Sequence, residues 1–587
     1  MSASIGKSAG ITKSLSTAND PAAPRPPIGR LPVVPLGTRR VRARPHPLSW
    51  RRTLVLALIA GAMLLPVFAL AWIAVFGRGE GLATLAGIRP GVATLNTVVL
   101  LALVAIASAI VGTGAAWVVT HHSFPGRRWI AWALVLPLAV PTYLAAYAHG
   151  EFWSFTGPVQ EGVRALGGFQ TPRDYWFPDI RSLPGAALVM ASVLYPYVYL
   201  STRAMLALAG PRMGEACRML GASRGRAARA VILPMARPAI AIGTVLAAME
   251  TLNDIGAVEY LGVRTLTRSI YALWLNRGDP SAAAELSLIL LGFVAILVVI
   301  ERIARGAASY YERPGRPAGG PERLRGWRGW GASALCMLPI LVGFGVPALV
   351  FAEFAWPRGY LVFEPALWDA VRTSLLIGTL AALVTVLLSL GLLFAVRGAG
   401  RTGRSLARLA TLGYAMPGTV VALGLFLPLA VLDNAVDGFA RGAFGMATGL
   451  VLTGSLATVV YAHAVRFTAI AEGTLAAGAE RLSPNIEAAA RTLGRTEWGA
   501  VREVTLPLLA PAIATAGLLV FIDSVKELSA TILVRPFGVQ TLSTYAYELA
   551  SQGRPEAVGF AALAIVALGM LPVLIVSRTA LGVGRAG

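Results

Sequence analysis

Charge is what this sequence has least of: 14% of its 587 residues are Asp, Glu, Lys or Arg, against about 25% in an ordinary soluble chain. Lysine occurs only as Lys7, Lys13 and Lys526. The one Gly-Lys-Ser, Gly6-Lys7-Ser8, has Met1 where a phosphate-binding loop needs its first glycine, and no strand precedes it. The chain therefore carries no phosphate-binding loop of its own. Cys217 and Cys336 give neither a disulfide framework nor a zinc site. His46, His121, His122, His149 and His463 do not cluster at metal-ligand spacing, and no nucleophile elbow is present. No catalytic residues, bound cofactor or resident metal are expected, and a soluble enzyme is excluded.

What the chain has instead is apolar length. Hydrophobic residues make up 56%, and the mean hydropathy is +0.67. A bilayer core about 30 Å thick takes roughly 20 apolar residues per helix. About twelve runs meet that length, near 53–76, 94–120, 129–148, 184–206, 238–258 and 282–300 in the first half, then 332–354, 373–396, 409–432, 446–465, 511–534 and 557–576. The expected fold class is an all-α integral membrane protein. Threading these runs with the N-terminus inside puts about 37 of the 51 basic residues on one face. Loop residues Arg397, Arg401, Arg404 and Arg408, which have no acidic companion, mark that face as cytoplasmic. Both termini are then cytoplasmic, and the formal charge of +22 is topogenic rather than a nucleic-acid footprint.

Residues 1–52 are basic, rich in Pro, Ser and Ala and without apolar period, which predicts a disordered cytoplasmic tail. Residues 303–331, with a Pro/Gly-rich centre, read as a flexible cytoplasmic linker between membrane units at 53–302 and 332–580. Residues 581–587 would close the chain on the cytoplasmic side. The two units are related by a repeat. A shift of 273 lays 214–241 on 487–514 without a gap, with 13 of 28 positions identical. Each copy falls between the fourth and fifth runs of its half, so the halves are parallel repeats. Gly221 and Gly494 can take the left-handed conformation that ends a helix. In the first copy, 224–232 can form a second helix before Pro234 stops it. About 30 ordered residues repeated outside the membrane point to a docking surface for another protein.

The residues Glu215, Ala216, Cys217, Gly221, Leu233 and Pro234 resemble the EAA-x3-G-x9-I-x-L-P loop of ABC-importer permeases, and the second copy carries Glu487, Ala489, Gly494, Leu506 and Pro507. In that family this loop seats in a groove of the cytoplasmic ATPase. The resemblance therefore implies a coupling role for loops 208–238 and 470–511. It also implies two copies of an ATPase that uses ATP and Mg, an extracytoplasmic substrate-binding protein, a bacterial inner-membrane location, and two six-helix type I permease units. Glu487 lies one residue early, with Ala488 in the glutamate register. The stretches 136–143, 195–197, 250–254 and 526–531 with Arg535-Pro536 are similar to the fused ferric-iron permeases of that family. Thiamine, polyamine and sulfate permeases share the fold.

The same shift places Glu250 on Asp523, Asn253 on Lys526 and Asp254 on Glu527. Each half thus has carboxylates at i and i+4 on one helix face, about 18 Å from its cytoplasmic start. Charges at that depth must face protein or water. Four carboxylates and Lys526 sum to about minus three when all are ionised, a passage that favours cations. Carboxylate oxygens also suit a hard cation such as ferric iron. The other reading is that Asp523 and Lys526 simply pair at i, i+3 while the rest bond backbone at a helix end. Tyr143, Tyr195 and Tyr197 are expected as interfacial anchors, with a phenolate-ligand role the alternative. A twelve-span secondary transporter is the rival architecture, one that would need no ATPase.

Overall fold

The computed structural model describes residues 50–76, 89–307, 321–396, 401–483 and 485–580. The expected tail up to residue 49, the centre of the linker at 308–320 and the terminus 581–587 lie outside them. The described residues belong to one compact unit and are almost wholly helical.

Among the described residues nine helices are long and apolar enough to cross a membrane, or ten when Arg127–Ala139 and Thr142–Phe152, bent by 97°, count as one span. The bend falls at Pro137 and Pro141, where two missing N–H groups break the helical ladder. The second half has a matching break: Leu412–Ala415 and Pro417 precede the helix Gly418–Phe444. Leu456–Glu480 and Pro555–Ala580 are two further long helices, at the places of the expected fourth and sixth runs of the second half. The expected run at 446–465 is displaced, because Met446 to Ser455 is loop and the helix begins at Leu456. Asp433 holds that loop by accepting from the Leu452 and Thr453 backbone N–H groups, each at 2.8 Å. The helix then carries Arg466 inward, buried.

The first helix of each half packs on the other half as well as on the last helix of its own, Pro280–Ala307 or Pro555–Ala580. Trp50–Phe76 packs on Gly418–Phe444, Pro365–Val396 and Arg401–Ala410 of the second half, and the Tyr461 hydroxyl donates to the Ala62 carbonyl at 2.6 Å. In return, the helix starting at Trp327 packs on first-half elements. There the Ser333 hydroxyl donates to the Pro125 carbonyl at 2.7 Å, and a His149 ring nitrogen lies 3.1 Å from the Val342 carbonyl. The linker is shorter than 303–331. The helix Pro280–Ala307 runs into it, and Glu322–Arg323 pairs in parallel with His122–Ser123. Polar backbone outside the apolar spans finds a ladder partner there.

The repeated loops are not free-standing helix pairs. In the first copy the leading helix is the end of Leu183–Met219, and the chain turns at Leu220 and Gly221. In the second, Asn485–Thr492 is separate from Leu456–Glu480. Gly221 and Gly494 have φ of +82° and +85°, the left-handed turn expected of both. Pro234 does not stop a helix. A π turn, Ala228–Ile232, runs into Leu233–Asn253, and Val501–Thr505 likewise into Leu506–Lys526. With Leu233 and Leu506 bonded five residues back, to Ala228 and Val501, the widened turn accommodates Pro234 and Pro507 without a break.

Candidate functional site

The helices Leu233–Asn253 and Leu506–Lys526 both end abruptly, and each is followed by a short helix, Gly256–Tyr260 or Thr531–Val534. The residue at each break is acidic. Asp254 accepts from the Ala257 backbone N–H at 2.8 Å and from the Thr142 hydroxyl. Glu527 accepts from the Ala530 and Thr531 N–H groups at 2.8 and 3.0 Å and from the Thr531 hydroxyl at 2.6 Å. Each carboxylate satisfies backbone donors that the break would leave orphaned at membrane depth.

Glu250, Asn253, Asp254, Asp523, Lys526 and Glu527 all line one cavity of about 140 Å³. The 273-residue shift therefore identified residues that the fold brings together from both halves. Two of the pairings match the helix-end reading: Lys526 Nζ lies 2.8 Å from Asp523 Oδ1, and Asp254 and Glu527 bond backbone. Asn253 bridges the halves, accepting from Gly418 N–H at 2.7 Å through its side chain and from the Ser529 hydroxyl at 2.8 Å through its carbonyl. Glu250 sits against Asn253 and Tyr414.

Three participants were missed. Arg466 pairs with Glu527, both side chains buried. His463 lies behind them, 2.5 Å from the Ser524 hydroxyl and 2.9 Å from that of Thr531. Tyr414 joins the lining beside Glu250. Four carboxylates against Lys526 and Arg466 give the lining a formal charge of about minus two, not minus three. The signal for Arg466 was an arginine abutting an apolar run, a charge any span must hide. The tyrosines are not interfacial anchors: Tyr143 and Tyr197 line the cavity, and Tyr195 is fully buried in the core.

At the opposite functional feature, the loops, Glu215 and Ala216 lie on the Leu183–Met219 helix, with side chains outside the described residues. Leu220 and Leu493, equivalent under the shift, are 89% and 84% exposed. Met219 and Trp498 add to this apolar surface. Glu487 accepts from the Thr505 hydroxyl at 2.6 Å, tying the two arms of the second loop together. Leu233, Pro234, Ala489, Leu506 and Pro507 occupy the arms around the turns.

An almost wholly helical chain with nine or ten candidate spans among the described residues, an internal repeat, a charged cavity lined from both halves and an exposed apolar loop in each copy has the architecture of a membrane permease. The family model for the binding-protein-dependent transport system inner membrane component matches twice, at residues 108–307 and 387–580. The chain belongs to this family of ABC-transporter permeases, as a fusion of two units and a multi-pass inner-membrane protein. It is 28% identical over 505 residues to the Fe(3+)-transport system permease protein FbpB 2 of Haemophilus influenzae, covering 84% of this chain and 91% of that protein. It is 31% identical over 221 residues to the putative 2-aminoethylphosphonate transport system permease protein PhnV of Salmonella paratyphi A, 38% of this chain and 77% of that protein. With the molybdenum transport system permease protein ModB of Escherichia coli it shares 31% over 211 residues, 34% of this chain and 86% of that protein.

Proposed function

We propose that this permease imports ferric iron, delivered by an extracytoplasmic binding protein and driven by two copies of a cytoplasmic ATPase. The observation that carries the reading is end-to-end similarity to an Fe(3+) permease, where the phosphonate and molybdenum relatives align with little more than a third of the chain. The cavity chemistry supports it. Lys526 is paired with Asp523 and Arg466 with Glu527, so both cations of the lining already have a carboxylate partner. Glu250 and Asp254 have no ion-pair partner among the described residues, and they are hard oxygen donors.

In this reading the units 53–302 and 332–580 form the pathway. Loops 208–238 and 470–511 each seat one ATPase through the exposed Leu220 and Leu493. The chain itself binds no ATP or Mg, and both termini face the cytoplasm with the arginine-rich loops. ATP binding draws the ATPases together and moves the loops. Because each loop's trailing arm is continuous with a fifth-span helix ending at Asn253 or Lys526, the motion reaches the cavity carboxylates without an intermediary. A ligand shifts this equilibrium only through differential affinity for the two states.

The test is reconstitution with the ATPase in proteoliposomes and a panel of loaded binding proteins. Ferric-loaded protein should stimulate hydrolysis. Stimulation instead by a phosphonate-, sulfate-, molybdate-, thiamine- or polyamine-loaded protein removes the iron assignment while the architecture stands. Uptake without any ATPase would remove both.

A further inference from the structure

Three cavities share wall residues one with the next. A cavity of about 280 Å³ under the loop of residues 153–182 shares Glu151 and Arg181 with a larger one of about 490 Å³. That outer vestibule shares only Tyr143 with the central cavity. Tyr143 is 6% exposed, yet its hydroxyl has no hydrogen-bond partner among the described residues. A buried polar group is ordinarily satisfied, so an orphan hydroxyl between two cavities calls for a function.

The wall around it is tight. A Cβ at position 256 would lie 2.6 Å from Tyr143 Cβ and 2.8 Å from Leu528 Cδ2, so only glycine lets these two side chains close together. The vestibule side carries oxygen donors: the Tyr260 hydroxyl, 3.4 Å from Glu151 Oε1, and Tyr547, whose ring is 6.5 Å from that of Tyr143. Glu259 also lines it, held by Arg268 at 2.6 Å. On the central side lie Asp254 and Glu250.

We propose that Tyr143 is the hand-over ligand of the pathway, offering its phenol oxygen to a hard trivalent cation as the ion passes from the outer vestibule to the central carboxylates. As the metal–oxygen bond forms, the phenol releases its proton to vestibule water. It regains one when the ion moves on to Asp254 and Glu250, and the iron stays ferric throughout. This deepens the iron reading above and rests on it. Hard cations favour such oxygen donors, and an oxyanion gains nothing from a deprotonated phenol.

Tyr143→Phe keeps the ring and removes only the unpaired hydroxyl. In proteoliposomes with the ATPase and the ferric-loaded binding protein, Y143F should lower iron delivered per ATP at least about tenfold. Undiminished delivery overturns the proposal. Failure of ferric-loaded protein to stimulate the wild type instead overturns the underlying iron reading. Independently, ferric nitrilotriacetate added to the full chain in nanodiscs should give a visible phenolate-to-iron charge-transfer band that Y143F lacks. 3-Fluorotyrosine in place of Tyr143 should shift that band. A band that is absent from the wild type, or unmoved by either change, overturns the assignment.

Discussion

Asp254 and Glu527 show how one residue position serves both fold and pathway. Each caps a broken helix end with backbone hydrogen bonds while facing the cavity. Glu250 has no such capping duty, so its charge is the one separable from structure. Glu250→Gln should lower ferric transport about tenfold, the effect of losing about 1.4 kcal/mol of favourable contact, with an unchanged thermal midpoint. A large midpoint drop would mean that Glu250 is structural after all. Arg466→Met should do the reverse. It leaves Glu527 buried without its arginine partner, held only by the Ala530 and Thr531 donors and by His463, at a cost of up to about 3–5 kcal/mol. Thermal unfolding of the purified protein should show a lower midpoint, recovered in large part in R466M/E527Q. An unchanged midpoint in R466M would dismiss the ion pair as a stabilising element. The internal repeat made Glu250, Asn253, Asp254 and their counterparts legible, because symmetry demands that equivalent helices place equivalent faces at the shared interface. Arg466, His463 and Tyr414 were not legible that way: under the same shift they fall on Val193, Met190 and Pro141.

At the scale of elements, the left-handed turns at Gly221 and Gly494 were readable from a glycine at the end of a helix-forming stretch, whereas the π turns were not. Proline in isolation signals a stop, and only the widened preceding turn reveals why Pro234 and Pro507 are tolerated. The continuity matters to coupling, since a stopped helix would dissipate a push that an unbroken one transmits. Gly221→Pro or Gly494→Pro forces φ near −65° where the turn needs a positive angle. Either should abolish coupled uptake while membrane insertion, followed by protease mapping, stays intact. Wild-type uptake in both would remove the coupling role. Thr505→Val tests the second loop more gently, deleting the clamp on Glu487. Its expected signature is ATP hydrolysis less dependent on loaded binding protein, and unchanged dependence would make the clamp inert.

For the whole molecule, the crossed first helices decide what holds the halves together. In lipid, association gains nothing from hydrophobic burial and depends on close packing and hydrogen bonds. Trp50–Phe76 buries Leu56, Ala60, Met63 and Leu70, and the clusters containing them are shared with the second half. The Tyr461–Ala62 bond in one direction and Ser333–Pro125 in the other tie the exchange. The sequence put a boundary between halves but could not show this crossing, since the pattern of an apolar run does not say which neighbour it packs on. The covalent connection after Ala307 should then be dispensable, while each first helix owes much of its packing to the other half. Co-expressed as two chains divided within 308–320, the halves should co-purify in equal amounts and retain at least about half of the uptake of the intact protein, because their contacts already fix their geometry. Expressed alone, either half should be degraded, its first helix and the receiving groove both unpacked. Stable accumulation of a lone half, or failure of the divided pair to assemble, would show that the linker and not the helix exchange joins the molecule.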